Sequence, residues 1–225
     1  MNILMKTAAA ALLSVSTLAL VPAAPALAET VLRLEEVAVG ELDPAKASDY
    51  ADSILMFNVY DTLVMPAQGA PGLVPHLAES WSADGNNHTF KLRNDVKFQS
   101  GNPLTAEDVV FSLDRMKALG AGLSYLFANV ERAEAVDDNT VTFVLKEPYA
   151  PFVASMLRLP IVDKKLVMEN LGDGDGDMKD WGQAFLSANG AGSGAYTVTA
   201  HNPQQETVMA KNGGYFLGVP DAAPD

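Results

Sequence analysis

Few residues in this chain have the types and spacing that catalysis needs. The three histidines, His76, His88 and His201, lie far apart and follow no metal-ligand spacing. The chain has no cysteine, which excludes thiol catalysis. Ser193 is flanked by glycines, but at the wrong offsets for the nucleophile elbow of an α/β-hydrolase. We therefore expect no catalytic residue and no metal site, and we expect that the chain is not an enzyme.

Two glycine-containing segments match ligand-binding motifs only superficially. Residues 190–195 fit G-x-G-x-x-A, but a dinucleotide site needs a helix after the loop, and a strand-like run begins here at Tyr196. Residues 173–177 alternate Asp and Gly like the start of an EF-hand loop. Met178 and Ala184 stand where that loop needs Gly and a bidentate Glu. We expect no cofactor, and we interpret residues 173–177 as a solvated acidic loop.

Residues 1–28 have the pattern of an export signal. Lys6 charges a short leading segment, residues 7–21 are almost wholly apolar, and Ala26-Leu27-Ala28 supplies the small residues that signal peptidase reads. The apolar run is shorter than the roughly 20 residues of a membrane-spanning helix. We expect cleavage after Ala28 and no membrane insertion afterwards. No cysteine is available for a lipid anchor, so the sequence predicts a free protein in a Gram-negative periplasm.

Charge argues against two classes of partner. The formal net charge is −13, with 28 acidic residues and 15 Lys or Arg. Nucleic acids need stripes of Lys and Arg to neutralise their phosphates, and anionic lipid surfaces attract the same residues. We therefore expect neither nucleic acid nor a membrane surface as a partner. The acidic balance does not identify a ligand.

The elements that must position any site are both helical and extended. Apolar spacing predicts a helix from Ser48 to Val64 after a Leu42-Asp43-Pro44 turn, with Ser48 or Asp49 as its N-cap. A second helix is predicted to begin at Thr105, with a capping box to Asp108, and to end at Gly120. The remaining predictions are a buried strand at residues 31–34, a turn at 82–87, strands near 89–98, 136–145, 196–198 and 207–209, and a short helix at 152–159. This mixture predicts an α/β fold with a mixed sheet and flanking helices.

The order of several motifs carries more information than any one of them. The succession is Leu77-Ala78-Glu79-Ser80-Trp81, Asp84-Gly85, residues 89–93, Val96-Lys97-Phe98, residues 101–112 and Arg115. Further matches are Asp137-Asp138, residues 146–152 and residues 192–196. This succession resembles the signature region of the bacterial extracellular solute-binding proteins of family 5, the peptide and nickel binding group. The resemblance runs from about Val31 to Phe216.

The resemblance implies a periplasmic-binding-protein-like type II fold, in which two lobes close over a ligand. Residues 29–72 and 189–225 would form the core subdomain of the first lobe, and residues 73–188 its inserted subdomain. Members of the family are much longer, and the second lobe is not accounted for by this sequence. The implied consequence is an incomplete first lobe that exposes an apolar patch and that binds ligand weakly or is unstable alone.

The resemblance also implies a function without bond cleavage. The chain would be the monomeric substrate-binding component of an ABC importer, capturing peptides of the di- or oligopeptide class and docking on the permease. Nickel complexes, oligosaccharides and opines are alternative ligands, and a truncated interaction module or an exported hydrolase are alternative functions. The ligand-binding residues implied are Ser48, Asp49, Tyr50 and Tyr125. The first two can accept hydrogen bonds from a ligand ammonium or amide, while Tyr50 offers a flat wall. The alternative role of Asp49 is a plain N-cap.

Overall fold

The computed structural model describes residues 30–33, 39–203 and 205–225. In chain order the elements are α1 (Tyr50–Val59), β1 (Val64–Pro66), β2 (Leu73–Pro75), β3 (Ala78–Asp84), β4 (Asn87–Leu92), α2 (Ala106–Leu119), β5 (Val130–Asp137), β6 (Thr140–Leu145), α3 (Phe152–Ser155), α4 (Lys164–Glu169), α5 (Gln183–Leu186), β7 (Tyr196–Asn202) and β8 (Glu206–Lys211). Two short 3-10 helices, Ser124–Phe127 and Met156–Arg158, complete the set. The predicted combination of helices and strands is confirmed.

A four-stranded antiparallel sheet in the order β3-β4-β6-β5 carries most of the core. The alternation of apolar and polar residues that predicted strands is matched by alternating burial in β6. Val141, Phe143 and Leu145 are buried, while their neighbours are partly exposed. Phe90 of β4 meets Phe143 edge-on, with ring centroids 5.6 Å apart. Burying a side chain of this size stabilises the fold by roughly 1.5–3 kcal/mol.

Helix α2 covers this sheet, packing against β5 and β6. Its predicted start is confirmed, since Asp108 Oδ2 accepts hydrogen bonds of 2.8 Å from both the backbone N–H and the hydroxyl of Thr105. Its predicted end is also confirmed, because Gly120 has φ 59°, a left-handed conformation that favours glycine. Local sequence signals thus determine both ends of this helix.

Helix α1 is shorter than its sequence pattern predicted. It begins at Tyr50, with Asp49 as N-cap, and ends at Val59, whereas Val64 belongs to β1. Tyr60 is already extended, with φ −122° and ψ 152°. The reason is tertiary, because the next residue, Asp61, is buried and its carboxylate binds side chains from distant segments. Apolar spacing does not distinguish such a buried extended segment from a helix.

Two predictions of extended or turn structure are wrong in part. Residues 31–33 form no strand, and Val31 and Leu32 are exposed; Leu34 lies outside the described residues. In the described part of the chain no strand forms a ladder of hydrogen bonds with them. Residues 82–84 belong to β3 rather than to a turn, and the chain reverses tightly at Gly85, which has φ 56°. The predicted strands near 136–145, 196–198 and 207–209 are present in β5–β6 and β7–β8. Of the strand predicted near 89–98 only the first part is present, because β4 ends at Leu92 and beyond it Lys97 forms a single isolated bridge to Pro103.

The core has two apolar clusters. One lies between the sheet and α2 and contains Phe90, Leu113 and Phe143. The other joins α1 to α4 and α5 and contains Val59 and Phe111. Because Phe111 projects from α2 into the second cluster, α2 packs against both. Among the described helices, none has the length and apolar character needed to cross a membrane.

Candidate ligand-binding face

The turn before α1 is closed by a buried aspartate. The Asp43 carbonyl accepts hydrogen bonds from the backbone N–H groups of Lys46 and Ala47, at 3.0 and 3.1 Å. Its carboxylate Oδ1 accepts a third, from the N–H of Ala45, at 3.0 Å. Pro44 fixes the dihedral angle φ at the next position. We call residues 43–47 the Asp43 turn; it delivers the chain to the start of α1.

Arg115 of α2 binds this aspartate from the other side. Its Nη1 and Nη2 donate to the two carboxylate oxygens of Asp43 at 2.6 and 2.5 Å, and both side chains are buried. Its Nε donates to the carbonyl of Trp181 at 2.6 Å. The planar guanidinium thus joins the Asp43 turn, α2 and the loop before α5. A bidentate pair of this kind fixes orientation as well as distance.

The predicted ligand-binding residues Ser48, Asp49 and Tyr50 follow directly and are exposed. Asp49 Oδ1 accepts a hydrogen bond of 2.9 Å from the N–H of Asp52, so Asp49 caps α1. Its second carboxylate oxygen has no partner among the described residues. The Tyr50 side chain is 74% exposed at the first position of α1. The segment therefore presents carboxylate and phenol groups to solvent on a fixed backbone.

Tyr125 lies on the Ser124–Phe127 3-10 helix and is also exposed, at 68%. The loop before it lies against the Asp43 turn. A Cβ atom added at Gly122, which has φ 53°, would be only 2.8 Å from the carbonyl oxygen of Ala45. The structure thus brings the loop that leads to Tyr125 against the turn that leads to Tyr50. Among the described residues no hydrogen bond joins Tyr125 to residues 48–50.

Beside this turn is a small pocket that the sequence patterns did not reveal. It holds about 30 Å3 between the Asp43 turn, α1 and the segment after α3. Its lining is Pro44, Ala47, Ser53, Met56, Phe57, Tyr60, Thr62, Leu123, Leu157, Arg158 and Pro160. The guanidinium of Arg158 lies over the ring of Phe57, with Cζ 5.5 Å from the centroid. Phe57 of α1 is 45% exposed, and the spacing of apolar residues that predicted this helix does not reveal that exposure.

A second polar cluster centres on Asp61, just after α1. Its carboxylate accepts from Ser193 Oγ at 2.7 Å and from the Tyr215 hydroxyl at 3.3 Å, and it pairs with His76 Nε2 at 2.7 Å. Burial and the nearby Asp61 carboxylate raise the pKa of Tyr215. Ser193 donates to the aspartate and not to the histidine, so the arrangement differs from a nucleophile–base pair. The cluster instead ties four distant segments together.

The glycine-rich loop before β7 serves close packing. A Cβ atom at Gly192 would lie 2.0 Å from the carbonyl oxygen of Val59, and one at Gly194 would lie 2.4 Å from that of Asn58. Gln99 Nε2 donates to the carbonyls of Val59, Gly194 and Tyr196, which binds the loop to the end of α1. The loop then enters a strand, as predicted.

The acidic segment at residues 173–177 is exposed, as expected for a solvated loop. Within the described ranges no group of three or more His, Asp or Glu side chains is arranged to hold a metal ion.

Comparisons with known proteins agree with the motif order. The family model described as "Bacterial extracellular solute-binding proteins, family 5 Middle" matches residues 72–224. The probable D,D-dipeptide-binding periplasmic protein DdpA of Escherichia coli K12 is 31% identical over 182 residues, which are 77% of this chain and 34% of that protein. Di/tripeptide-binding protein 2 of Pseudomonas aeruginosa UCBPP-PA14 is 32% identical over 217 residues, 85% of this chain and 39% of that protein. The chain therefore spans little more than a third of the length of these relatives.

Solved structures show the same partial overlap. The binding protein MoaA from A. tumefaciens R10, in complex with mannopinic acid, superposes with a TM-score of 0.68 and 32% identity over 80% of this chain and 36% of that one. DppA from Helicobacter pylori, in complex with the peptide STSA, gives a TM-score of 0.66 and 28% identity over 80% and 38%. These neighbours are type II periplasmic binding proteins, so the expected fold class is confirmed for the part of the fold that this chain covers.

Proposed function

Because the chain belongs to family 5 of the bacterial extracellular solute-binding proteins, we propose that it forms one wall of the cleft of an ABC-importer binding protein for di- and oligopeptides. The curated relatives are periplasmic peptide-binding proteins rather than enzymes. In this role the chain captures a solute without breaking a bond. A ligand that contacts both lobes selects the closed form, which the permease recognises.

The observation that supports this proposal is the exposed start of α1 on a rigid base. Asp43 and Arg115 are buried and hold the turn, while Tyr50 projects into solvent at 74% exposure. An exposed aromatic and an acceptor carboxylate on a fixed backbone are suited to a peptide, which offers an ammonium group, amide N–H groups and apolar side chains. Ser48, Asp49, Tyr50 and, from the adjoining loop, Tyr125 are the proposed contacts.

The division of the lobe and the cellular setting belong to the same proposal. The division into a core of residues 29–72 and 189–225 with residues 73–188 inserted remains a prediction, because each of the two apolar clusters contains residues of both parts. The relatives support a periplasmic location. The export signal at residues 1–28 lies outside the described residues and remains a prediction, as do a monomeric state, the absence of a cofactor and docking on permease subunits.

A second ligand class has one specific observation in its favour. The MoaA structure, which is 32% identical to the chain, contains mannopinic acid. An opine-like ligand is therefore the alternative to a peptide. A module that docks on a permease without binding ligand is the other alternative, and it predicts permease capture with no heat of ligand binding.

Calorimetry on the exported chain, purified from a periplasmic extract, distinguishes these possibilities. Titration with a set of defined dipeptides should give saturable but weak binding, with a dissociation constant of about 1 mM. The Tyr50→Ala variant should bind more weakly with an unchanged melting temperature, since the side chain is exposed. Binding of mannopinic acid with no response to any dipeptide would overturn the peptide proposal, and peptide cleavage in the recovered samples would overturn the non-enzymatic role.

A further inference from the structure

Asparagine followed by glycine occurs twice in this chain, at Asn189-Gly190 and at Asn212-Gly213. Asparagine is a thermally labile residue, because the peptide nitrogen of the next residue can attack its side-chain carbonyl carbon. Glycine in that next position has no side chain to block the attack, and its backbone adopts bent conformations readily. The two dipeptides are chemically identical, so a difference between them in the folded chain must come from their surroundings.

The side chain of Asn189 is exposed and is held by one hydrogen bond. The residue lies between α5 and β7, outside any helix or strand. Its Nδ2 donates to the carbonyl of Phe185 at 2.9 Å, and its Oδ1 has no hydrogen-bond partner among the described residues. The attacking group is also available, because the N–H of Gly190 donates to no acceptor in the described part of the chain. The side chain can therefore rotate towards this nitrogen at the loss of a single hydrogen bond.

Asn212 has the same neighbour, but both ends of its side-chain amide are bound. Its Nδ2 donates to the carbonyls of Gly194 and Ser193, at 2.8 and 3.5 Å. Its Oδ1 accepts from the N–H of Gly214 at 3.0 Å. Rotation of this side chain towards the nitrogen of Gly213 would break these hydrogen bonds together. The fold therefore protects one Asn-Gly dipeptide and leaves the other open.

We propose that Asn189 is a site of spontaneous deamidation in the folded protein and that Asn212 is protected. The nitrogen of Gly190 forms a bond to Cγ of Asn189 while the bond from Cγ to Nδ2 breaks. Ammonia leaves and carries the proton that the Gly190 nitrogen loses. Water then opens the cyclic imide at either of its two carbonyl groups, which gives aspartate or isoaspartate. Water is the only co-reactant, and nothing is oxidised or reduced.

Isoaspartate at position 189 should disturb the loop that follows, because it adds a methylene group to the main chain. Gly190 has little room to shift, since a Cβ atom there would lie 3.2 Å from Cγ1 of Val59. Two residues further on, the carbonyl of Gly192 accepts from the N–H of Gln99 at 2.9 Å. A longer main chain just before these contacts should lower the stability of the folded chain. Ordinary aspartate keeps the length of the main chain and should not have this effect.

Incubation of the full exported chain at mildly alkaline pH, followed by peptide mass spectrometry, tests the proposal. Conversion of the amide to a carboxyl group should be about tenfold faster at Asn189 than at Asn212, because more hydrogen bonds must break at Asn212. The rate at Asn189 should rise in proportion to hydroxide concentration, since the attacking nitrogen must lose its proton. In concentrated urea the two rates should converge, because the protecting hydrogen bonds are then absent.

Two variants at position 189 separate the modification from its consequence. Asn189→Gln should remove the reaction there, because a glutamine amide must close a larger ring, and its melting temperature should equal that of the wild type, since the side chain is exposed. After long incubation the wild type should show a second melting transition at lower temperature, and Asn189→Gln should not. Fresh Asn189→Asp carries the charge without the added methylene group, and it should melt in one transition close to that of fresh wild type.

The urea control gives the proposal its sharpest test. Equal rates at the two sites in the folded chain, or a faster rate at Asn212, overturn the inference. An excess at Asn189 that persists in urea also overturns it, because the fold would then not be the cause. A single unchanged transition after conversion of Asn189 to isoaspartate overturns the predicted effect on stability. None of these measurements uses a ligand, so their failure leaves the proposed function to its own test by calorimetry.

Discussion

Arg115 and Asp43 are joined by two parallel hydrogen bonds of 2.6 and 2.5 Å across a sequence separation of 72 residues. One residue lies on a helix that covers the main sheet, and the other closes the turn that precedes the proposed ligand-binding residues. Both side chains are almost completely buried, at 1% and 0% exposure. The ion pair therefore fixes the start of α1 relative to α2.

Removing one member of this pair should strongly destabilise the chain. In Arg115→Ala the Asp43 carboxylate stays buried without its partner, which typically costs about 3–5 kcal/mol. Urea unfolding followed by circular dichroism measures the change. Arg132→Ala is the control and should change the free energy of unfolding by less than about 0.5 kcal/mol, because its ion pair is exposed. A loss below about 1 kcal/mol in Arg115→Ala would contradict the structural role assigned here.

Asp49 allows the capping role to be separated from ligand binding. Asn caps helices about as well as Asp, whereas Ala costs about 1 kcal/mol. Asp49→Asn should therefore keep the stability of the wild type, and Asp49→Ala should lose about 1 kcal/mol. If Asp49 also accepts from a ligand ammonium group, Asp49→Asn should bind dipeptides more weakly. If Asp49→Asn keeps the full affinity for dipeptides, Asp49 caps α1 and has no role in ligand binding.

Gly192 should not tolerate even one added methyl group. A Cβ atom there would lie 2.0 Å from the Val59 carbonyl oxygen, and that oxygen is held by the N–H of Gly194. We expect Gly192→Ala to reduce the free energy of unfolding by more than about 3 kcal/mol. Gly213→Ala is the control, because nothing lies within 4 Å of its added Cβ atom. Equal melting temperatures for the two variants would show that the glycine-rich loop before β7 can shift to accommodate the added methyl group.

The stability of the chain should depend on pH through His88. Burial lowers the pKa of His88, whose ring lies 4.7 Å from that of Phe152. Below its ordinary pKa near 6.5 the unfolded chain binds this proton more readily than the folded chain, so stability falls as pH falls. When the pH is lowered from about 7.5 to about 5.5, the melting temperature of His88→Gln should therefore fall less than that of the wild type. An equal fall in melting temperature for His88→Gln and the wild type across this range would exclude a contribution of His88.

Local signals in the sequence were sufficient for several elements. Thr105, Asp108 and Gly120 determine the ends of α2 because caps involve atoms only a few residues apart. Alternation along residues 140–145 determines which side of β6 is buried, since successive side chains of a strand point to opposite faces. The order of the motifs between Leu77 and Arg115 identified the family, which the matched model over residues 72–224 confirms. The proposed contacts at Ser48, Asp49, Tyr50 and Tyr125 came from that resemblance and remain predictions.

Tertiary structure decided what sequence spacing could not. The end of α1 depends on Asp61 meeting His76 and Ser193, and the pocket depends on Phe57 meeting Arg158. Both relationships join residues many positions apart, and periodicity describes only neighbours along one element. The sequence by itself therefore determined the family, the class of fold and the helix caps. Only the folded chain determined which charged groups were buried in pairs, like Asp43 and Arg115, and which were exposed, like Arg158.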